Sequence, residues 1–187
     1  NANCPAPSGK VHLEIGCGSG RNLIELALAN PQDSFIGLEL RYKRLVLAAK
    51  KIERQNIQNI LLMRERGQFI DEYLPHKSMD CMHINFPDPW SKKARRKHRI
   101  LSAEFLSKMH PHFRSKGELR FKTDHLEYFE TVTDILQDLK TYTIIEHTTD
   151  LHRSEYNENN ILTEFEMLFK SKENPPIGFL RAEVLQK

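Results

Sequence analysis

Three stretches of this chain carry residues whose types and spacing could do chemistry. The first is Glu14-Ile15-Gly16-Cys17-Gly18-Ser19-Gly20, an acid followed by glycines at every second position. Glycines let the backbone turn tightly and approach a ligand at the carboxyl end of a sheet. Nineteen residues beyond Gly20 stands Glu39, whose carboxylate could accept both hydroxyls of a ribose. A dinucleotide site makes the same two demands, but its G-x-G-x-x-G fingerprint wants a third glycine at position 21, where Arg21 stands. The acid before the first glycine completes E-x-G-x-G-x-G. The missing third glycine counts against a pyrophosphate ligand, and leaves a NAD-dependent oxidoreductase as the rival.

The second stretch is Asn85-Phe86-Pro87-Asp88-Pro89-Trp90. Two prolines stiffen the turn, Asp88 offers an acceptor for ring N–H and exocyclic amino groups, and Trp90 offers a stacking face. Such a turn suits a flat heterocycle; the plain alternative is a rigid connection with Trp90 in the core. The third stretch follows at once. Between Lys92 and Arg99 six of eight positions are Lys or Arg, and His98 adds another nitrogen. A charge run is often only a solvated face, but next to a base-holding turn it would meet a phosphate-rich substrate.

These stretches need elements to position them. Val11–Ile15 reads as a buried strand entering the glycine turn, with a helix from about Leu23 that stops before Pro31. Phe35–Leu40 is a second strand, Tyr42–Gln55 a helix, Asn59–Met63 a third strand and Gln68–Leu74 a short helix. Met79–Phe86 is a fourth strand that delivers the proline turn. Ser102–His110 reads as a helix with Ser102 as its cap, Glu118–Lys122 as a fifth strand and Leu126–Lys140 as an amphipathic helix. Tyr142–Thr148 and Glu164–Lys170 read as two closing strands around a polar surface loop, 149–160. Strand and helix alternate at βαβ spacing, so the expected fold is α/β: a mostly parallel, twisted, seven-stranded sheet with helices on both faces and one antiparallel strand.

The bulk numbers agree. A chain of 187 residues suits one domain, expected here to span 1–187, and 39% hydrophobic with 28% charged residues is an ordinary globular composition. No apolar run nears the roughly 20 residues that span a bilayer. Three scattered cysteines without a CxxC, and nine histidines without an HExxH, indicate neither a disulfide framework nor a metal site, and suit a reducing, cytoplasmic setting. Only ten residues precede Val11 and the first is not Met, so an N-terminal arm is expected to be truncated or absent.

The glycine motif Leu13–Gly20 and the run Phe86–Arg99 (FPDPWSKKARRKHR), together with Phe121–Asp124 (FKTD) and Thr163–Glu166 (TEFE), resemble the bacterial tRNA (guanine-N7)-methyltransferase family over nearly the whole chain. The resemblance implies a Rossmann-like class I methyltransferase that moves a methyl group from S-adenosylmethionine to N7 of a guanine in the tRNA variable loop. It implies that Glu14, Gly16, Gly18, Gly20, Glu39 and Asn85 serve the cofactor and that Asp88 is the central acid. Lys92, Asp124, Thr163, Glu164, Phe165 and Glu166 would bind the substrate nucleotide, and Lys93, Arg95, Arg96, Lys97 and Arg99 the tRNA backbone. tRNA is the implied partner, with no metal and no membrane, and the chain is expected to be a monomer or homodimer. The family has an acid after the third strand for the adenine end; this chain reads Arg64-Glu65-Arg66 there, leaving Glu65 or backbone groups for the task. A methyltransferase acting on another base or small molecule, and a non-catalytic RNA-binding module, remain as alternatives.

Overall fold

The computed structural model describes residues 9–170 and 175–186. Seven strands form one sheet: β1 Val11–Ile15, β2 Ser34–Leu38, β3 Ile60–Met63, β4 Met79–Asn85, β5 Phe113–Thr123, β6 Tyr142–Thr148 and β7 Gly178–Val184. Their order is β3-β2-β1-β4-β5-β7-β6. The first five run parallel, and β7 lies antiparallel to both β5 and β6. Helices α1 Arg21–Ala29, α2 Tyr42–Arg54, α3 Ala103–Met109, α4 Leu126–Leu139 and α5 Glu164–Lys170 complete the chain. Among the described residues no helix is long and apolar enough to cross a membrane.

Period-two alternation makes the sheet two-faced. Leu13, Met82, Ile84, Leu119 and Phe121 point one way and meet Phe105 and Leu106 of α3 and Tyr128, Phe129 and Val132 of α4 in the main core. On the other face Phe35 packs with Leu23, Leu26 and Ala27 of α1 in a smaller core. That second face also carries buried polar side chains, namely His12, Glu14, His83 and Lys122. Hydrophobic burial thus secures one face, while the other contributes polar groups toward the strand ends.

Two expectations need correction. Residues Glu164–Lys170 are a helix, not a strand. Thr163 and Glu166 form a reciprocal capping box: the Thr163 hydroxyl accepts the Glu166 amide at 3.1 Å, and the Glu166 carboxylate accepts the Thr163 amide at 2.8 Å. The alternating acids and apolar residues of TEFEMLFK imitated a strand, but this start signal wins. The seventh strand is instead Gly178–Val184, which inserts between β5 and β6. The 149–160 stretch also departs from a plain loop: it makes two short 3-10 turns and buries Leu151.

Candidate active site

β1 ends in the glycine loop, and three glycines there take positive φ: Gly16 81°, Gly18 58° and Gly20 82°. At Gly16 an added Cβ would meet nothing within 4 Å, so the loop presents bare backbone to open space. At Gly20 the same atom would lie 3.0 Å from the Ala48 side chain, which is why α2 can pack so close. Beside the loop Glu14 is 3% exposed and accepts the side-chain amides of Asn22 (3.1 Å) and Asn85 (2.9 Å) through one oxygen. Its other oxygen, Oε2, is buried with no hydrogen-bond partner. Burial pushes the Glu14 carboxyl above its ordinary range, against the two amides and the Lys122 ammonium, which hold it down. A buried acid with one oxygen unanswered fits a cationic amino-acid tail.

Glu39 follows β2, its Oε1 accepting the Arg41 amide at 2.7 Å. With Gly16 it lines a cleft of about 900 Å³ that also takes in Asp88, Trp90, Arg95 and Lys97. Parallel strands bring this about, because β1, β2 and β4 all end on the same edge of the sheet. Glu65 and Arg66 line the same cleft, the Glu65 carboxylate accepting the Arg66 amide at 2.6 Å and the Tyr73 hydroxyl at 3.3 Å.

The proline turn is backbone-strained. Phe86 and Trp90 sit at φ 50° and 43°, a region costly for aromatic residues. Three anchors hold it there. The Phe86 amide donates to the Lys122 carbonyl (2.8 Å), extending the β4–β5 ladder. The Phe86 ring lies 4.6 Å from that of Phe165. Arg99 donates from Nε to the Pro89 carbonyl at 2.7 Å. Between these anchors Asp88 is exposed on the cleft wall, and the Trp90 ring leans on His98 with centroids 5.3 Å apart.

Arg99 corrects an expectation. Its side chain is buried, grips Glu127 at 2.6 and 3.3 Å, and lies over the Tyr128 ring at 4.5 Å. It therefore holds the turn rather than a phosphate. Its hydrogen bonds, with help from Arg96, hold the Glu127 carboxyl below its usual range. Arg96 pairs with the same acid at 2.9 Å, while Lys92, Lys93, Arg95 and Lys97 are exposed around a 3-10 turn, Lys93–His98.

The remaining residues singled out in the sequence fall in two places. Asp124 is exposed beyond the end of β5, the strand next to the one that delivers Asp88, but does not line the cleft. The Thr163–Glu166 segment bridges the two loops. The Ser19 hydroxyl donates to Glu164 (2.8 Å), and Phe165 contacts Phe86. Glu166 is fully buried and accepts from Lys122 (3.3 Å), Thr163 and Asn160. Burial alone would raise its pKa, but the Lys122 ammonium and the Thr163 amide hold it low. Sequence reasoning missed Asn22, Lys122 and Glu127. Of these only Lys122 carried a local signal, as part of the FKTD stretch, where no role was given to it.

The comparisons agree with this geometry. A family model described as "Putative methyltransferase" matches residues 8–177. A bifunctional glycosyltransferase/methyltransferase of Fusobacterium nucleatum is 44% identical over 173 residues, covering 92% of this chain but 27% of that protein. The chain thus spans about a quarter of that relative. The tRNA (guanine-N7)-methyltransferase of Enterococcus faecalis is 37% identical over 164 residues, 87% of this chain and 75% of that one. Among solved structures an rRNA methylase from Streptococcus thermophilus superposes with a TM-score of 0.65 at 14% identity, covering 97% and 90% of the two chains, a likeness of fold. By sequence match, motif and cleft together, this chain belongs to the tRNA (guanine-N7)-methyltransferase family.

Proposed function

We propose that this chain methylates N7 of a guanine in the variable loop of tRNA, using S-adenosylmethionine. The observation that carries the reading is the single cleft in which Gly16, Glu39, Asp88, Trp90 and the free cations Arg95 and Lys97 meet. The residues fit the cofactor: Glu14 offers an unanswered buried oxygen to an ammonium group, Gly16 leaves room for backbone contact, and Glu39 faces the cleft with a carboxylate for ribose hydroxyls. When bound, the cofactor supplies an electrophilic methyl group on a sulfonium.

The chain's own residues do the rest. Guanine N7 carries an in-plane lone pair and needs no base to remove a proton, so positioning and electrostatics dominate. Asp88 would accept from the N1–H and 2-amino edge and offset the positive charge that develops on the ring, and Asp124, exposed beyond the end of β5, would meet the nucleotide from outside the cleft. Trp90 would offer a stacking face. Glu164, Phe165 and Lys92 would meet the nucleotide, with Thr163 and Glu166 holding their segment in place. Lys93, Arg95, Arg96 and Lys97 would bind the tRNA backbone.

The test is an assay with methyl-labelled cofactor and unmodified tRNA, followed by nucleoside mass spectrometry. Label in 7-methylguanosine supports the reading; label in another nucleoside, or none, overturns it. A charged hydrogen bond contributes about 1.5–3 kcal/mol, so Asp88→Ala should slow turnover roughly 10–100-fold while cofactor binding persists. Normal turnover in that variant would remove Asp88 from the mechanism.

A further inference from the structure

The methylation site uses the strand ends, yet the same sheet face holds a second cluster one pleat deeper. His12 on β1 lies beside Cys81 on β4, and Glu14 beside His83, in the parallel register of the two strands. The metal-binding atoms of His12, Cys81 and His83 all lie within 4.8 Å of one another, and all three residues are buried. The His12 and His83 nitrogens are 3.2 Å apart. Two nitrogens bound to one tetrahedral zinc ion at about 2.0–2.1 Å sit roughly 3.3–3.4 Å apart, so the imidazoles already stand at the right separation.

Three further observations fit a metal. First, His12 Nε2 lies 3.2 Å from Asp33 Oδ2, and the other Asp33 oxygen accepts the Lys10 amide at 2.9 Å. The fixed carboxylate sets the His12 tautomer, leaving the Nδ1 lone pair facing His83, an arrangement typical of histidine ligands. Second, the two imidazoles sit on adjacent paired strands with ring centroids 5.5 Å apart, so one ion can be held between them. Third, His83, alone of the three, lines a separate pocket of about 500 Å³, a route by which an ion could enter. Arg120, Lys122 and Arg181 also line it and oppose a cation, but each is paired with an acid: Arg120 and Arg181 with Glu118 at 2.8 Å, and Lys122 with Glu166 at 3.3 Å.

We propose that His12, Cys81 and His83 form a zinc-binding site, completed by a water from this pocket, that ties β1 to β4 beneath Glu14. On binding, the Cys81 S–H bond breaks, a metal–sulfur bond forms and the proton leaves to solvent. The His83 Nε2 proton moves to its Nδ1. The new thiolate and the Asp33 carboxylate balance the two positive charges of the ion.

Cobalt(II) is the probe. The chain, stripped with chelator, should take up one equivalent of Co²⁺ with tetrahedral visible absorption and a thiolate-to-cobalt charge-transfer band, and Zn²⁺ should bleach both. Cys81→Ser should lose the charge-transfer band, and Asp33→Asn should weaken zinc affinity by about 10–100-fold. Should the serine variant fail to fold, the intact chain gives the answer. Zn²⁺ should then protect Cys81, but not Cys17, from alkylation read by peptide mass spectrometry. Absence of the band in the intact chain, its survival in folded Cys81→Ser, or equal alkylation of Cys81 with and without Zn²⁺ would each overturn the proposal.

Discussion

Arg99 stands in a run of cations but does different work from its neighbours, and its replacement tests that difference. In Arg99→Ala the Pro89 carbonyl loses a charged donor at 2.7 Å, an interaction of about 1.5–3 kcal/mol. The stacking over Tyr128 adds up to about 2 kcal/mol when desolvated. Truncating a buried ion pair costs roughly 3–5 kcal/mol when its partner is stranded. Glu127 is not stranded, because its side chain is 38% exposed and keeps Arg96 at 2.9 Å. We therefore expect a net loss of about 3 kcal/mol, or roughly 6–12 °C in Tm for a chain of this size. Arg99→Lys keeps the charge but not the fork and should fall about halfway. Both variants free the turn carrying Asp88 and Trp90, so kcat should drop by about 10²-fold while KM for tRNA moves little. Calorimetry and steady-state methylation at several salt concentrations would check this. Unchanged Tm and kcat, with the whole effect in a salt-dependent KM, would show that Arg99 is a phosphate contact after all.

Lys122→Met should destabilise the fold by about 1.5–3 kcal/mol in urea unfolding, because the fully buried Glu166 loses its ammonium partner while keeping the Thr163 amide, Asn160 and His152. Adding Glu166→Gln should return part of that loss, whereas additive losses would mean the two groups are not coupled. Glu14 carries a raised pKa, so its contribution to the stability of the cofactor-free chain is complete below the ordinary value of 4.5 and is lost as pH rises through the raised value. Cofactor affinity should rise over the same window as the carboxylate ionises. Glu14→Gln should flatten both profiles in thermal-shift and calorimetric titrations, and a profile unchanged by the substitution would assign the titration elsewhere. Reversing Lys93, Arg95 and Lys97 together should weaken tRNA binding and lower its log–log salt slope by roughly 2–3, leaving cofactor affinity intact. A constant slope would make the run a solvated face.

What the sequence determined by itself was whatever short-range physics encodes. The period-two runs placed β1 to β4 within one or two residues, because each strand buries a face that only one register allows. Ser102 announced its own cap, and its hydroxyl accepts the Phe105 amide at 3.2 Å. The glycine spacing and the FPDPW turn were legible because a tight turn and a rigid one each need particular residue types. Even Glu164–Lys170 carried its answer in the T-x-x-E box, which the alternation of acid and apolar residues obscured.

Tertiary structure decided the rest, through partners far apart in the chain. The place of β7 depends on pairing with strands on both sides, so no local pattern could put it between β5 and β6. Arg99 and Lys97 are both basic residues of one run. Both line the cleft, but only Glu127, 28 residues away, pins the first down as a buried brace and leaves the second exposed. Lys122 meets Glu166 across 44 residues, and His12 meets His83 across 71. A charge or an imidazole has no fixed role until folding selects its neighbours, because desolvation penalises a buried polar group until a partner at hydrogen-bond distance offsets it.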